Sequence, residues 1–158
     1  MDPVKIPRMT KAEYDSLIRR QYVSRIAFCA GGQPYIAPFM YVFDGKFLYF
    51  LSTKYGRKIE YFKSNPNVSV EIEEYTPDLS AFTFVSLQGF LEEVKDTPQK
   101  KKVREQFVGM IRKNGLSPHV LSAFGHSHAD PPEVIVREER SMVWKLTGVK
   151  DIVALRNG

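Results

Sequence analysis

Apolar residues recur at helical spacing in two stretches of the chain. Thr10 and Glu13 have the spacing of a capping box, and the residues that follow them place apolar side chains on one face. Thr97 and Pro98 have the character of an N-cap and a first helical residue, and the apolar periodicity after them ends near residue 114. Together these signals predict a short amphipathic helix over 10–21 and a longer one over 97–113.

Between and after these helices, short apolar runs bounded by Gly, Pro and Asn are typical of strands. The pair Asp44-Gly45 is a strong hairpin signal, and from Val68 onward apolar and polar residues alternate strictly. A short helix is expected over 57–64, and Ser117-Pro118 is a start signal for another. The predicted strands cover residues 25–30, 34–43, 46–52, 68–73, 82–94, 134–137 and 141–146.

Three features of these strands constrain how they pack. Pro38 cannot donate a backbone hydrogen bond, so it requires a strand edge or a bulge. Gly89 marks a bulge or a close approach by another group. The strand over 34–43 is apolar on both faces and is therefore expected to be covered on both sides.

Six or seven mostly antiparallel strands joined by hairpins favour a closed or partly closed β-barrel over a doubly wound sheet. The expected fold class is mainly β, a barrel with peripheral helices. With 158 residues and 43% hydrophobic content, one domain over 1–158 is expected. Its predicted parts are core strands over 22–95, a helical segment over 97–124 and closing strands over 133–148.

The formal net charge of +5 suits either nucleic acid or an anionic small ligand. Basic residues do not form a stripe interleaved with aromatic ones, so no nucleic-acid partner is expected. The densest basic cluster, Lys100–Lys102 with Arg104, is interpreted as a solvated helix face. Cys29 lies in an apolar run and is predicted to be a buried, inert thiol. Neither a signal peptide nor an apolar run of about 20 residues is evident, which predicts a cytoplasmic protein without a membrane partner.

The most informative polar segment lies where the third strand meets the short helix. Hydroxyls, turn amides and two cations come together there at a helix N-terminus, contributed by Ser52, Thr53, Gly56, Arg57 and Lys58. At such a terminus backbone N–H groups are unpaired and the helix dipole favours an anion. A polar helix start with two solvated cations is the alternative. The segment is a phosphate-site candidate.

Other chemical motifs are weak or missing. The chain has no GxxxxGK[ST] loop, no GxGxxG after a strand and no GxSxG elbow. His119, His126 and His128 are the only histidines, and a metal site would need further ligands, so surface histidines are expected and no metal is predicted. Trp144 is either a core residue or a contact to a bound cofactor or substrate.

Seven segments follow one another in a distinctive order along the chain. They are Ser24-Arg-Ile-Ala-Phe28, Pro34-Tyr-Ile-Ala-Pro-Phe-Met-Tyr-Val42, Asp44-Gly45, Leu48-Tyr-Phe50, Gly56-Arg-Lys58, Asn65-Pro-Asn-Val-Ser69 and Gly89-Phe-Leu-Glu-Glu-Val94. In order and spacing this series resembles the pyridoxamine 5′-phosphate oxidase-like family of FMN-binding split barrels. The resemblance covers Ser24 to about Val94, and the remaining residues match only in outline.

The resemblance implies a six-stranded antiparallel split β-barrel that forms a homodimer, with FMN in a groove between the subunits. It implies that Arg57 and Lys58 hold the FMN phosphate, with hydrogen bonds from Ser52 and Thr53, and it makes Ser86 compatible with a polar contact to the flavin. By the same resemblance, one segment would run alongside the isoalloxazine ring, and it consists of Phe39, Met40, Tyr41 and Val42. The alternative for these four side chains is a place in the core.

At several positions the chain departs from the family pattern, and these departures limit which activity is expected. Pyridoxamine phosphate oxidases proper have an arginine and a glutamine where this chain has Phe39 and Phe84, so vitamin B6 oxidation is not expected. The chain resembles the nitroimidazole-reductase branch more closely, although Leu51 stands where that branch has its characteristic histidine.

Two functional hypotheses remain open on the sequence. The first is an FMN-dependent oxidoreductase that acts on a small organic substrate with NAD(P)H, in which the flavin carries the chemistry and no catalytic side chain is named. The second is a non-catalytic module that holds FMN, haem or a deazaflavin for storage, sensing or electron carriage, with a histidine as axial ligand if the cofactor is haem.

Overall fold

A computed structural model describes all residues, 1–158, and shows a split β-barrel with peripheral helices. Six antiparallel strands close into the barrel in the order β1-β2-β3-β6-β5-β4. None of the helices combines the length and the apolar character that spanning a bilayer requires. The strands are β1 (Val23–Ala30), β2 (Gln33–Phe43), β3 (Leu48–Thr53), β4 (Asn67–Tyr75), β5 (Phe82–Glu93) and β6 (Ser141–Asn157). The helices are α1 (Lys11–Arg20), α2 (Arg57–Ser64), α3 (Thr97–Lys113), a 3-10 helix (Pro118–Phe124) and α4 (Val134–Arg137).

The barrel is split between β2 and β3. Residues Gln33–Met40 of β2 pair with β1, whereas only the last three residues of β2, Tyr41–Phe43, pair with β3. The segment Gln33–Met40 is therefore a free edge, and it contains Pro38, as the missing donor of that residue predicts.

Two hydrophobic clusters lie on opposite faces of the sheet. The inner one fills the barrel with side chains from all six strands, together with residues from α1 and α2. The outer one lies between the Val42, Tyr49, Leu51 and Val143 side chains of the sheet and the apolar face of α3 with the 3-10 helix. Every side chain of β3 is consequently buried, which fixes the position of the residues that follow it.

Helix boundaries follow local capping. The Thr10 hydroxyl accepts a hydrogen bond from Glu13 N, and the Glu13 carboxylate accepts one from Thr10 N, so the predicted capping box is confirmed. For α3 the N-cap is Asp96 rather than Thr97, because the Asp96 carboxylate accepts from Gln99 N at 3.0 Å.

Predictions for the C-terminal third were partly wrong. Residues 134–137 form one helical turn and not a strand, because Val134 N and Ile135 N donate to the carbonyls of Pro131 and Pro132. The final strand does not stop at residue 146, nor do the closing strands end at 148: β6 continues to Asn157 and pairs with β5 on both sides of a register shift at Gly89. A Cβ on Gly89 would lie 2.6 Å from the Thr147 carbonyl oxygen, so the predicted close approach is confirmed.

Side-chain alternation corrects two further expectations. In β1 the inward phase is taken by Ser24, Ile26 and Phe28, so Cys29 points outward and is exposed rather than buried. In β2 the outward face is covered by α3 only near Val42, and Ile36 is 62% exposed. The first half of β2 is therefore not covered on both sides.

Candidate functional site

The turn between β3 and α2 builds an uncapped helix N-terminus. Gly56 precedes the helix at φ 101°, a conformation that glycine adopts without strain, and no side chain caps the first turn. The first backbone N–H groups of α2 therefore lack intrahelical acceptors and lie at the positive end of the helix dipole. This arrangement favours an anion.

Two cations stand at this helix start without counter-ions. Arg57 is exposed and its guanidinium carbon lies 5.8 Å from the ring centre of Tyr35. Lys58 is half-buried, with its Nζ 5.2 Å from the ring centre of Phe39. Neither cation forms an ion pair with a carboxylate. Burial lowers the pKa of Lys58, because its ammonium is partly desolvated without a compensating charge.

Helix α2 lies over the split in the barrel. Its Tyr61 ring is 5.3 Å from Tyr35 on the free edge, and its Phe62 ring stacks 4.6 Å from Trp144 of β6. These aromatic contacts attach α2 to both sides of the gap. Arg57 and Lys58 are thereby positioned beside the free edge of β2.

The two predicted hydroxyl donors are already engaged. Ser52 is fully buried and its Oγ donates to the Thr53 carbonyl at 3.0 Å, while Thr53 Oγ1 donates to the Tyr55 carbonyl at 3.1 Å. Their protons are therefore not directed at a ligand in this structure. The donors left at this turn are the cations and the backbone N–H groups.

The segment predicted to run alongside the flavin ring is largely core. Phe39 and Tyr41 point into the barrel, Val42 packs in the outer cluster, and only Met40 is half-buried. The Tyr41 hydroxyl donates to the Ile18 carbonyl at 2.7 Å, and its burial raises the pKa of the phenol. Any contact from this segment to a ligand would rest on Met40 and on backbone groups of the free edge.

The structure does not bring Ser86 to this site. Ser86 points outward from β5, its Oγ lies 3.2 Å from the Ser69 Oγ of β4, and β5 is across the barrel from β2. Trp144, in contrast, lies beside α2 but is fully buried, and its Nε1 has no hydrogen-bond acceptor. Trp144 is therefore a core residue.

The histidines do not share one environment. His119 and His128 lie with their ring centres 4.7 Å apart, whereas His126 is only 4% exposed and neither of its ring nitrogens has a partner. The expectation that all three are surface residues is therefore wrong for His126. Burial is the main cause that lowers its pKa. No group of three or more His, Cys, Asp and Glu side chains could hold a metal ion.

An apolar cleft of about 300 Å³ lies at the other end of β3. It is bounded by α1, the turn between β2 and β3 and the bend of β6, and it shares no residue with the Arg57–Lys58 site. Since the β3 strand separates the two, the cleft and the anion site are distinct features.

The environments of Tyr35 and Arg104 were not predicted from the sequence. Tyr35 supplies the ring over which Arg57 lies, and nothing in its strand pattern distinguishes it from core. Arg104 is 2% exposed and not part of a solvated face, which corrects the interpretation of that basic cluster. A signal was present, because Arg104 precedes Phe107 by three residues and Ile111 by seven and so shares their buried face.

Comparison by sequence gives one family and a partial relative. The model of the family described as pyridoxamine 5′-phosphate oxidase matches residues 10–138. An uncharacterised protein of Rhizobium meliloti is 37% identical over 67 residues, and this match spans 42% of the chain and 44% of the relative. The chain thus matches less than half the length of that curated relative.

Comparison by structure gives the same fold. A FAD-binding protein of Mesorhizobium loti aligns with a TM-score of 0.72 at 21% identity, covering 98% of this chain and 100% of that one. A putative 5-nitroimidazole antibiotic resistance protein of Bacteroides thetaiotaomicron gives 0.63 at 18%, covering 96% and 90%. The haem storage protein HutZ of Vibrio cholerae gives 0.66 at 15%, covering 91% and 94%. With the family model matched over most of its length, the chain belongs to the pyridoxamine 5′-phosphate oxidase family.

Proposed function

We propose that this protein binds FMN and acts as an oxidoreductase on a small organic substrate with NAD(P)H. The observation that supports this most directly is the pair of unpaired cations, Arg57 and Lys58, at the uncapped N-terminus of α2. A phosphate monoester carries about −1.5 to −2 charges at neutral pH and accepts several hydrogen bonds. It would supply both the missing cap and the missing counter-charge.

In this proposal each part of the site has a separate task. Arg57 offers a forked guanidinium to the phosphate from the exposed side, and Lys58 offers a point charge from the partly desolvated side. The free edge of β2 leaves backbone groups near Met40 available to the polar edge of the ring system. Bound FMN supplies the hydride and electron transfer, so the protein's task is to bind and orient.

A homodimer completes the proposed groove. Val23 and Ile36 are large apolar side chains exposed on the outer face of β1 and β2, at 41% and 62%. Covering them with a second copy would remove apolar area from water. The outer face of β5 in that copy could bring Ser86 to the flavin, which it does not reach within one protomer.

The haem-binding alternative receives support from the likeness to a haem storage protein and from the two unpartnered nitrogens of His126. The same fold in a protein described as FAD-binding keeps a larger flavin as a further alternative. Flavin remains the favoured cofactor class because His126 is enclosed and separate from the cationic site.

The visible spectrum of the purified protein tests the cofactor. We expect flavin bands near ~370 and ~450 nm, and mass analysis of the released cofactor that gives FMN. A Soret band would contradict the flavin assignment. Consumption of NAD(P)H with an electron-poor acceptor, measured in the flavin-loaded protein, tests the oxidoreductase part; a tightly held flavin that no nicotinamide cofactor reduces would instead indicate a binding module.

A further inference from the structure

A small pocket of about 130 Å³ lies on the outside of the barrel, where β3 ends and β6 begins. Arg104 and Lys100 reach it from one face of α3, Lys54 follows β3, and Lys95 follows β5. This volume is well above the ~10–15 Å³ that one water molecule needs in a cavity, so the pocket has room for a small ligand.

The pocket is bordered by a buried charge that forms no ion pair, although Glu139 acts on it at longer range. Arg104 is 2% exposed, and its three hydrogen bonds go to neutral oxygens: Ser141 Oγ at 2.9 Å, the Ser141 carbonyl at 2.6 Å and the Ile135 carbonyl at 3.5 Å. No carboxylate forms an ion pair with it, and its buried Nε has no partner. A guanidinium cannot lose its proton in a protein, so the positive charge must remain in this enclosed position.

The remaining charges increase the positive potential. The pocket is lined by four cations but only two carboxylates. Of the carboxylates, Glu139 is paired with Lys100 at 3.4 Å and its side chain is half exposed, while Glu93 forms no ion pair, so the lining keeps a net positive charge. Lys54 and Lys95 have no ion-pair partner and are exposed at the rim. Burying a charge is unfavourable unless it is paired, and an anion would pair it.

A purely structural role explains part of the arrangement. The hydrogen bonds of Arg104 join α3 to α4 and to the first residue of β6. A structural link of this kind requires only neutral acceptors. It does not account for the two unpaired lysines, Lys54 and Lys95, that border the same pocket.

We propose that this pocket is an oxyanion site for inorganic phosphate, sulfate or the phosphate group of a small molecule. Its lining includes none of Gly56, Arg57 and Lys58, so it is distinct from the proposed flavin-phosphate site at the N-terminus of α2. Arg104 supplies the enclosed charge, and Lys54 and Lys95 attract and hold the anion at the rim.

Titration with inorganic phosphate, followed by ¹H–¹⁵N NMR at constant ionic strength set with sodium chloride, tests the proposal. Amide shifts resolve the two sites, since the pocket reports through Lys95 and Ser141 and the α2 start reports through Gly56 and Lys58. We expect saturable shifts at the pocket residues that persist when flavin occupies the other site. Phenyl phosphate as a second probe should produce the same shifts if the pocket accepts a phosphate group.

A charge-matched pair of variants isolates the pocket. Lys54→Ala with Lys95→Ala should weaken phosphate binding at the pocket about tenfold, because each removes an exposed charge beside the anion. Lys101→Ala with Lys102→Ala changes net charge equally on the exposed face of α3 and should leave binding within about twofold.

Arg104→Met should abolish pocket binding, and circular dichroism checks that this variant is folded. If Arg104→Met unfolds the protein, the comparison between the Lys54 and Lys95 double variant and the Lys101 and Lys102 double variant still tests the proposal. The proposal is overturned by shifts at the pocket that do not saturate, by equal weakening in the two lysine pairs, or by competition between phosphate at the pocket and bound flavin.

Discussion

Replacing Arg57 and Lys58 by alanine should weaken FMN binding by two to three orders of magnitude while leaving the fold intact. Lys58 is half-buried on the Phe39 ring, so its charge-assisted bond to phosphate is worth about 1.5–3 kcal/mol. Arg57 is exposed, so its contribution is discounted to about 1 kcal/mol. The sum of about 2.5–4 kcal/mol corresponds to a loss of affinity of roughly 100- to 1,000-fold.

The assay is a titration of flavin-free protein with FMN, followed by quenching of flavin fluorescence. The single variants should differ, with Lys58→Ala losing more affinity than Arg57→Ala. Lys58→Met keeps an unbranched stem against Phe39 but removes the charge, so it separates packing from electrostatics. The double variant Lys101→Ala and Lys102→Ala on α3 matches the charge change away from the site.

Specific results would refute this reasoning. An FMN affinity in the Arg57 and Lys58 double variant that stays within about threefold of the parent value would remove the phosphate assignment, since a single charge-assisted bond exceeds that. An affinity of Lys58→Met that matches the parent protein would show that the ammonium contributes nothing. Equal losses in the α3 pair would attribute the effect to net charge alone.

Three further predictions concern stability, each measured by urea unfolding. The folded state holds the pKa of His126 below the ~6.5 of the unfolded chain. The stability contributed by this group is therefore complete above pH ~6.5 and falls as the pH drops through the folded pKa, by at most about 1.4 kcal/mol per pH unit. His126→Leu should lose less stability than the parent protein between pH 7.5 and 5, and an unchanged slope would contradict this. Trp144→Phe should cost less than about 2 kcal/mol, because the indole N–H has no acceptor to lose, whereas Trp144→Ala should cost about 3–5 kcal/mol; equal costs would refute the packing argument. Gly89→Ala should destabilise by about 1–3 kcal/mol through contact with the Thr147 carbonyl, whereas Gly109→Ala in α3, where a Cβ meets nothing within 4 Å, should be neutral or stabilising by up to about 1 kcal/mol.

Local signals predicted the barrel up to β5 because each one has a direct physical cause. The capping box positioned α1, alternation from Val68 defined β4, and the missing donor of Pro38 predicted a strand edge. The antiparallel order then followed from short connections. The same reasoning failed at residues 134–137, where an apolar run of strand-like residues forms a helical turn because the preceding Pro131 and Pro132 carbonyls accept its first N–H groups.

The candidate site was predictable in its cations but not in its hydroxyls. Residue type and a strand-to-helix turn were enough to select Arg57 and Lys58. The direction of the Ser52 Oγ depends on strand phase, which places this residue inside the barrel. The burial of Arg104 and His126 depends on how α3 and the 3-10 helix pack on the sheet, and a single sequence gives only the helical phase of Arg104 as a hint.

The free edge of β2 has a consequence for solubility. Tyr41 N donates to the Tyr22 carbonyl on the β1 side, and the register between β1 and β2 is uninterrupted, so even-numbered residues of β2 direct their backbone groups away from β1. Pro34 and Pro38 occupy two of these positions and bring no N–H to the open side. A strand from another molecule that approached this edge would find donors only at Ile36 and Met40, which is too sparse a ladder for the sheet to extend from one molecule to the next. The barrel can therefore stay open where α2 lies without becoming a template for aggregation.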